Sequence, residues 1–396
     1  MPPTRMQRVA LVRFRSDGKI DPIDKKLLLI HCNRISICIG QVLIFIKSQK
    51  NYFFLANIGV ILYNYKVNYL DYFQNKEEKT MKRFISIVLV LALALSLAAC
   101  GGSSKMTMGT GGTSGTYYGY GTILGQVIKD KTGIAVTTVS TEGSAANIQG
   151  IDAGNYQLAT VQSDVLAYAW DGTRTFEKDG AVDTFRVVAG LYAEAVQLVT
   201  MDPAIKTVAD LKGKTVSIGA PNSGVYFNAI DVLGAAGLSE SDITPQYQSF
   251  ADSADALKDG KIDAAFIVAG APTPAIEELC TTNDAYLVPI DGDIADKLIN
   301  AEGSFYTAYK IPANTYKNQA EDVTTITVKA TLIVDANASE EDVYNLTAAI
   351  FDNIDSIQHA KAAELSIENA TQGMAAPFHK GAAKYFAEKG VEVTAE

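Results

Sequence analysis

The chain has 396 residues, of which 48% are hydrophobic and 20% are charged, and its formal net charge is −10. Residues 1–99 hold 15 of the 34 Lys and Arg but only 6 of the 44 Asp and Glu, so the remainder carries 19 basic and 38 acidic residues and a formal charge of −19. Nucleic acid is therefore not expected as a partner, because phosphate backbones are held by clustered Lys and Arg. Only two cysteines, Cys100 and Cys280, remain after residue 99, and no disulfide framework is predicted.

The segment from Met81 to Cys100 has the pattern of a bacterial lipoprotein signal peptide. Two basic residues precede an apolar run over 84–97, and small residues stand directly before Cys100. This run is too short for a comfortable membrane span. The sequence therefore predicts a signal peptide over residues 81–99, acyl chains on Cys100 that anchor the protein to the outer face of the cell membrane, and a flexible tether over 100–105.

Residues 1–80 precede this signal, although export signals are read near the amino terminus. Lys76, Glu77 and Glu78 lie just before Met81, and their codons can spell a purine-rich ribosome-binding sequence. We therefore predict that translation starts at Met81 and that residues 1–80 are an untranslated upstream extension. An authentic membrane-associated extension is the alternative.

Beyond Lys105, short β-rich runs alternate with amphipathic helical runs, which predicts an α/β fold with parallel sheets flanked by helices. The first lobe is expected at 106–195 and 290–396. Its predicted elements are a strand at 106–109, a helix at 117–132, a strand at 134–140, a helix at 144–153 and a strand at 158–162. Residues 186–200 resemble two linked strands that pass between lobes.

The second lobe is expected at 196–289. Its predicted elements are a short capped helix and a strand within 207–219, a helix at 225–236, a strand at 243–248, a helix at 253–260 and a strand at 264–268. After Pro289 we expect the chain to return to the first lobe. Ser339 then supplies the N-cap of a helix that extends to about Phe351.

A glycine-rich segment at 109–118, here called the first junction, follows a predicted strand and opens a helix. Several unpaired N–H groups and hydroxyls can converge there on one anionic group. The spacing is a poor dinucleotide fingerprint, because Ser114 replaces the last glycine. A turn with only a packing role is the alternative. The candidate ligand-binding residues are Gly111, Gly112, Thr113, Ser114, Thr116, Tyr117 and Tyr118.

Two more strand-to-helix junctions have similar chemistry, namely residues 219–226 (the second junction) and 269–276 (the third junction). Such junctions lie at the carboxyl ends of parallel strands, where ligands of open α/β sheets bind. Ordinary helix punctuation explains each one alone, whereas three together favour a ligand site. The candidates are Asn222, Ser223, Tyr226, Gly270, Pro272 and Thr273.

Four further polar residues could orient a ligand amine or hydroxyl. Gln162 and Asp164 lie where a strand gives way to a helix, and Glu194 and Gln197 lie in the crossing segment. Asp164 could instead cap its helix, and Glu194 could be solvated. Arg186 could reach a carboxylate, but a structural ion pair is favoured.

The sequence gives little indication of catalysis. We therefore expect that the protein is not an enzyme and that it binds no cofactor and no metal. The two histidines after residue 99, His359 and His379, lie outside any Cys/His metal spacing. No Gly-x-Ser-x-Gly elbow suggests a serine nucleophile.

As an ordered set, these motifs resemble the TAXI-type solute receptors of tripartite ATP-independent periplasmic (TRAP) transporters, over nearly all of the chain after Cys100. The resemblance is carried by the first junction, by Gln162-Ser163-Asp164, by the run 211–224 and by Val343-Tyr344 with 377–386. Lys380 stands where the family often has proline, which leaves the role of His379 open.

This resemblance implies a two-lobed periplasmic-binding fold of type II, with a hinge and a ligand cleft between the lobes. It implies an extracytoplasmic receptor that delivers a small organic acid, a glutamate-like amino acid or a dicarboxylate, to a TRAP-type membrane permease. A receptor for an ATP-driven importer, a ligand sensor and an exported enzyme are the alternatives.

Overall fold

The computed structural model describes residues 52–56, 59–63 and 104–396. The chain divides into two compact units, Met1–Cys100 and Gly101–Glu396. In the first unit, strands β1 (Tyr52–Ala56) and β2 (Gly59–Tyr63) pair antiparallel. The predicted signal peptide at 81–99 and the lipidation site Cys100 lie outside the described residues and stay predictions. Within the described residues, no helix combines the length and the apolar character needed to cross a membrane.

The second unit alternates strands and helices along most of its length. Its strands are β3 (Lys105–Gly109), β4 (Ala135–Val139), β5 (Leu158–Gln162), β6 (Phe185–Thr200), β7 (Thr215–Ser217), β8 (Thr244–Gln246), β9 (Ala264–Ala269), β10 (Tyr286–Val288), β11 (Thr307–Ile311) and β12 (Val323–Asp335). Its helices are α1 (Thr116–Thr132), α2 (Ser144–Asp152), α3 (Ser163–Asp171), α4 (Gly224–Ala235), α5 (Phe250–Lys258), α6 (Pro274–Thr282), α7 (Gly292–Ile299), α8 (Glu340–Phe351), α9 (Ile367–Thr371) and α10 (Lys380–Glu388).

Two long strands hold the sheet together. The strand order is β4-β3-β5-β12-β6-β9-β7-β8, with β10 beside β6 and β11 beside β12. At one end β3 runs parallel to β4 and β5, and at the other β7 runs parallel to β8 and β9. Between them β6 and β12 pair antiparallel to each other. Each parallel segment keeps its strand ends and helix starts on one edge, as parallel packing requires.

Separate hydrophobic cores mark two lobes. One core contains Met108, Leu124 and Leu158, together with Val187 and Leu191 from the first half of β6. The second lobe buries Val216, Val232 and Phe266 on one face of its sheet and Ile267 and Leu279 on the other. Val196 and Leu198, from the second half of β6, belong to this second lobe. The predicted α/β fold of two lobes is confirmed.

Two predictions about the chain path are wrong. Residues 185–200 form one continuous strand of 16 residues, not two linked strands. The return to the first lobe also comes later than Pro289, because Ile290, Ala295 and Tyr306 are buried in the core of the second lobe. There α7 packs on α4, and β11 pairs with the first half of β12. The chain returns only along β12.

Candidate ligand-binding site

A cavity of about 450 Å³ lies between the two lobes. Four strand-to-helix junctions surround it, two from each lobe, and Gln162 and Glu194 complete its wall. The lining residues from the junctions are Gly111, Gly112, Thr113, Ser114, Gly115, Thr116, Tyr117, Ser140, Thr141, Glu142, Gly143, Ser144, Ala220, Pro221, Ser223, Gly224, Val225, Tyr247, Gln248, Ser249, Phe250, Ala251 and Asp252, with Val268 and Ala269 from the end of β9.

The amino-terminal ends of four helices, α1, α2, α4 and α5, meet at this cavity. Helix α5 is capped by the Ser249 hydroxyl, which accepts the N–H of Asp252. Helices α1 and α4 begin at Thr116 and Gly224 without any side-chain cap. Unpaired N–H groups give a helix start a partial positive charge. One uncapped helix start from each lobe therefore faces the cavity.

The opposite lobe supplies a hydrogen-bond acceptor for the first N–H groups of α2. The N–H groups of Ala145 and Ala146 donate to the carbonyl oxygen of Asn222 at 3.1 and 3.3 Å. Asn222 has a positive φ of 60°, and its side-chain amide donates to Glu142 at 3.1 Å. The structure is therefore a closed form, in which the second junction touches the first lobe beside the cavity.

Gly224 of the second lobe lies directly against the Gln162 side chain of the first. A Cβ atom added to Gly224 would overlap the Gln162 side-chain oxygen and come within 3.0 Å of Val165. Only glycine therefore permits this approach without a shift of the neighbouring groups. Glycine is required at position 224 because of this contact between the lobes. The start of α4 itself does not require it, because its N-cap residue, Ser223, has an ordinary extended backbone.

Glu194 lies at the wall of the cavity and is only 2% exposed. The Tyr117 hydroxyl donates to its carboxyl group at 2.5 Å. Burial raises the pKa of Glu194 well above its usual range, while the Tyr117 hydrogen bond and the charge of Lys361 act in the opposite direction. Burial also raises the pKa of Tyr117. A positive charge in the cavity beside Glu194 would therefore favour ionisation of its carboxyl group.

The cavity has an acidic lining. Its acidic side chains are Glu142, Glu194 and Asp252, and among the described residues that line it there is no Lys, Arg or His. The carboxylate of Asp252 accepts from Ser249 at 2.6 Å. An anionic group in this cavity would thus be held by backbone N–H groups and hydroxyls rather than by basic side chains.

The structure brings part of the predicted set to the cavity. Nine of the predicted residues line it: Gly111, Gly112, Thr113, Ser114, Thr116, Tyr117, Gln162, Glu194 and Ser223. Eight others do not: Tyr118, Asp164, Gln197, Asn222, Tyr226, Gly270, Pro272 and Thr273. Several members of the second group nevertheless support the wall.

The third junction lies behind the first. The Thr116 hydroxyl donates to the carbonyl of Gly270 at 2.9 Å, and the N–H of Ala275 donates to the carbonyl of Ser114 at 3.1 Å. Gln197 is buried and donates to the Thr273 hydroxyl at 2.9 Å. The third junction therefore supports the first junction on the side away from the cavity.

Other predicted residues are used in contacts away from the cavity. Asp164 is fully buried and accepts from the Asn228 amide at 2.8 Å. The Tyr226 hydroxyl donates to Glu240 at 3.1 Å. Tyr118 is half-buried on α1, where its carbonyl accepts from Thr122. These contacts give the three residues a structural role.

Arg186 and His379 also have structural contacts. Arg186 donates to two backbone carbonyls and pairs with Glu396 at 3.1 Å, as the favoured interpretation expected. His379 Nδ1 accepts the N–H of Gly381 and so caps α10, while its Nε2 lies 3.1 Å from the carbonyl of Ala338. Neither residue lines the cavity.

Sequence reasoning missed two of the four junctions, at 140–144 and at 247–252. Both follow a predicted strand and precede a predicted helix, which was the available signal. Gly143, with a φ of 122°, marks the first of them. In the part of the chain that the structure describes, no group of three or more His, Cys, Asp or Glu could hold a metal ion.

The fold and the cavity define a two-lobed α/β protein with a candidate ligand site between its lobes. The chain belongs to the NMT1-like family, which matches residues 108–390.

Solved structures are similar to the chain at low identity. The periplasmic aliphatic sulphonate binding protein SsuA from Escherichia coli is 18% identical, with 72% of this chain and 79% of that chain covered and a TM-score of 0.39. The alkanesulfonate-binding protein SsuA from Xanthomonas axonopodis pv. citri is 16% identical (72% and 91% covered, TM-score 0.41). A binding protein component of an ABC phosphonate transporter from Pseudomonas aeruginosa is 15% identical (66% and 78% covered, TM-score 0.42).

Proposed function

We propose that this protein is an extracytoplasmic solute-binding receptor that captures a small organic acid and delivers it to the permease of a TRAP transporter. The observation that carries the proposal is the closed interlobe cavity with an uncapped helix start from each lobe, α1 at Thr116 and α4 at Gly224. A solute held by both lobes stabilises the closed form, because it has more contacts there than in an open form.

The two helix starts suit a solute with two carboxylates. Each end offers backbone N–H groups and a partial positive charge that attract an anion without a basic side chain. The hydroxyls of Thr113, Ser114 and Ser223 lie at the same ends. We infer that a glutamate-like amino acid or a dicarboxylate places one carboxylate at each of these helix starts.

Glu194 favours the amino acid over the plain dicarboxylate. Its carboxyl group is buried, and Tyr117 donates to one of its oxygens. A solute ammonium group beside it would lower its pKa, restore its charge and leave no unpaired charge in the cavity. A dicarboxylate would leave Glu194 in its neutral form.

Calorimetry with L-glutamate and glutarate tests the solute. L-Glutamate binding should release a proton from Glu194, so its affinity should rise with pH until the pKa of Glu194 in the solute-free protein is passed, and the heat should depend on the ionisation enthalpy of the buffer. Glutarate binding should release none. In Glu194→Gln the proton release should vanish and L-glutamate affinity should fall by roughly 10-fold to 100-fold, as for the loss of a charged hydrogen bond. Failure of both solutes to bind would contradict the proposed solute class.

Uptake experiments test the transport role. Membrane vesicles that carry the permease should take up solute only with this receptor present and an ion gradient imposed, without ATP. A requirement for ATP would indicate an ATP-driven importer instead. Uptake that survives deletion of the receptor would favour a sensor, and chemical conversion of the bound solute would reveal an enzyme.

A further inference from the structure

A buried polar contact joins the lobes beside the cavity, between α4 of the second lobe and the place in the first lobe where β5 ends and α3 begins. Gln162 donates from Nε2 to the Asn228 side-chain oxygen at 2.6 Å. The amide nitrogen of Asn228 donates to Asp164 at 2.8 Å and to the Tyr306 hydroxyl at 2.9 Å. Asn228 and Asp164 are fully buried, and Gln162 is 2% exposed.

Aromatic packing surrounds these hydrogen bonds. Phe227 extends from α4 into the core of the first lobe, where its ring meets that of Tyr168 edge to face at 5.6 Å between centroids. Arg174 lies over the Tyr168 ring and pairs with Asp231 of α4 at 3.0 Å. Because Gln162, Asp164 and Asn228 are buried, the loss of a hydrogen bond among them would leave an unpaired polar group in a surrounding of low dielectric constant, which is costly.

Among the hydrogen bonds of the described residues in this contact, only those of the Asn228 side chain reach polar groups of both lobes. Its oxygen and its nitrogen are used by Gln162 and Asp164 of the first lobe and by Tyr306 of the second. Asp164 keeps one oxygen without a partner. Separation of the lobes would break both bonds to the first lobe.

Gln162 connects this contact to the cavity. Its side chain lines the cavity and also bonds Asn228, whereas Asn228 does not line it. A solute that fixes Gln162 therefore fixes the donor that Asn228 needs. The contact can respond to solute without touching it.

We propose that Asn228 is a positioning residue that sets the equilibrium between the open and closed forms of the solute site. The inference rests on the proposed solute-binding function, since it assigns this contact the control of closure over the same cavity. A receptor whose closed form is less populated binds its solute more weakly in proportion to that population.

Hydrogen exchange of the solute-free protein provides the test. The N–H groups of Ala145 and Ala146 bond the carbonyl of Asn222 across the cleft, so their exchange rates report closure directly. In Asn228→Ala these two amides should exchange faster by about fivefold or more, the range of a typical coupling between sites. Asn228→Asp, which keeps the size of the side chain but faces Asp164 with a second carboxylate, should have at least the same effect.

Val232→Ala is the matched control. Val232 is fully buried on the same helix but belongs to the core of the second lobe alone, so its loss destabilises α4 without a contact to the first lobe. In the Val232→Ala variant, the N–H groups of Ala145 and Ala146 should exchange at the same rate as in the unchanged protein. Equal exchange of these amides in all four proteins would overturn the proposal.

L-Glutamate separates the two ideas. It should slow the exchange of Ala145 and Ala146 in the unchanged protein and bind Asn228→Ala more weakly by a similar factor of about five or more. If L-glutamate does not bind but the solute-free exchange still depends on Asn228, the closure role stands and the proposed solute is wrong.

Discussion

The Asp164→Asn variant should show a gain in stability that grows with pH. Burial raises the pKa of Asp164 to about 6, although the Asn228 hydrogen bond opposes the rise. From an ordinary value of 3.8 this corresponds to roughly 3 kcal/mol of cost for the ionised form in the folded protein. The folded protein holds the proton more tightly than the unfolded chain. The cost is therefore absent below pH 3.8 and complete above about pH 6.

Urea unfolding at several pH values between about 4 and 8 measures this effect. The free energy of unfolding of Asp164→Asn, minus that of the unchanged protein, should rise by roughly 3 kcal/mol across the range. A constant offset is expected as well, because the new amide needs an acceptor, but it does not vary with pH. Asp171→Asn, at an exposed residue of the same helix, is the control. A difference that stays flat with pH would refute the reasoning.

Three further outcomes are expected. Tyr117→Phe removes the hydroxyl that donates to Glu194 and should weaken L-glutamate binding about 10-fold in calorimetry, with the fold unchanged by circular dichroism. Gly224→Ala should overpack the lobe contact and weaken binding about 10-fold, whereas Gly234→Ala on the same helix, where a Cβ meets open space, should leave binding unchanged. Cys100→Ser should move the protein from the membrane fraction to the soluble fraction after cell lysis; retention in the membrane would contradict lipid anchoring through this residue.

The alternation of strands and helices in the sequence was enough to predict most elements of the two lobes. The strand at 158–162 matches β5, and the helix predicted at 117–132 begins one residue early, at Thr116. The chain path after Pro289 was not predictable in this way. Whether α7 packs on α4 or on the first lobe depends on which surfaces fit, and an amphipathic pattern only shows that one face is buried.

The sequence pointed to two of the four strand-to-helix junctions that line the cavity, the first and the second, and did not point to those at 140–144 and 247–252 or to the contacts between the lobes. Glycine and hydroxyl residues in the first junction pointed to the cavity, and nine predicted residues line it. The partners of Asp164 and Gln197 belong to distant parts of the chain, Asn228 and Thr273, and no local pattern relates them. From sequence alone, a buried amide or carboxylate that binds a ligand therefore cannot be distinguished from one that bonds a neighbouring helix.

The start of α2 has a consequence for the open form. Its two amides at Ala145 and Ala146 find their acceptor, the carbonyl of Asn222, only on the far side of the cleft. When the lobes separate, this helix loses its cap and presents a second electropositive end to solvent in the first lobe, beside that of α1. An arriving anion would thus encounter a more strongly attracting surface than the one that finally encloses it, in a chain that is otherwise strongly acidic.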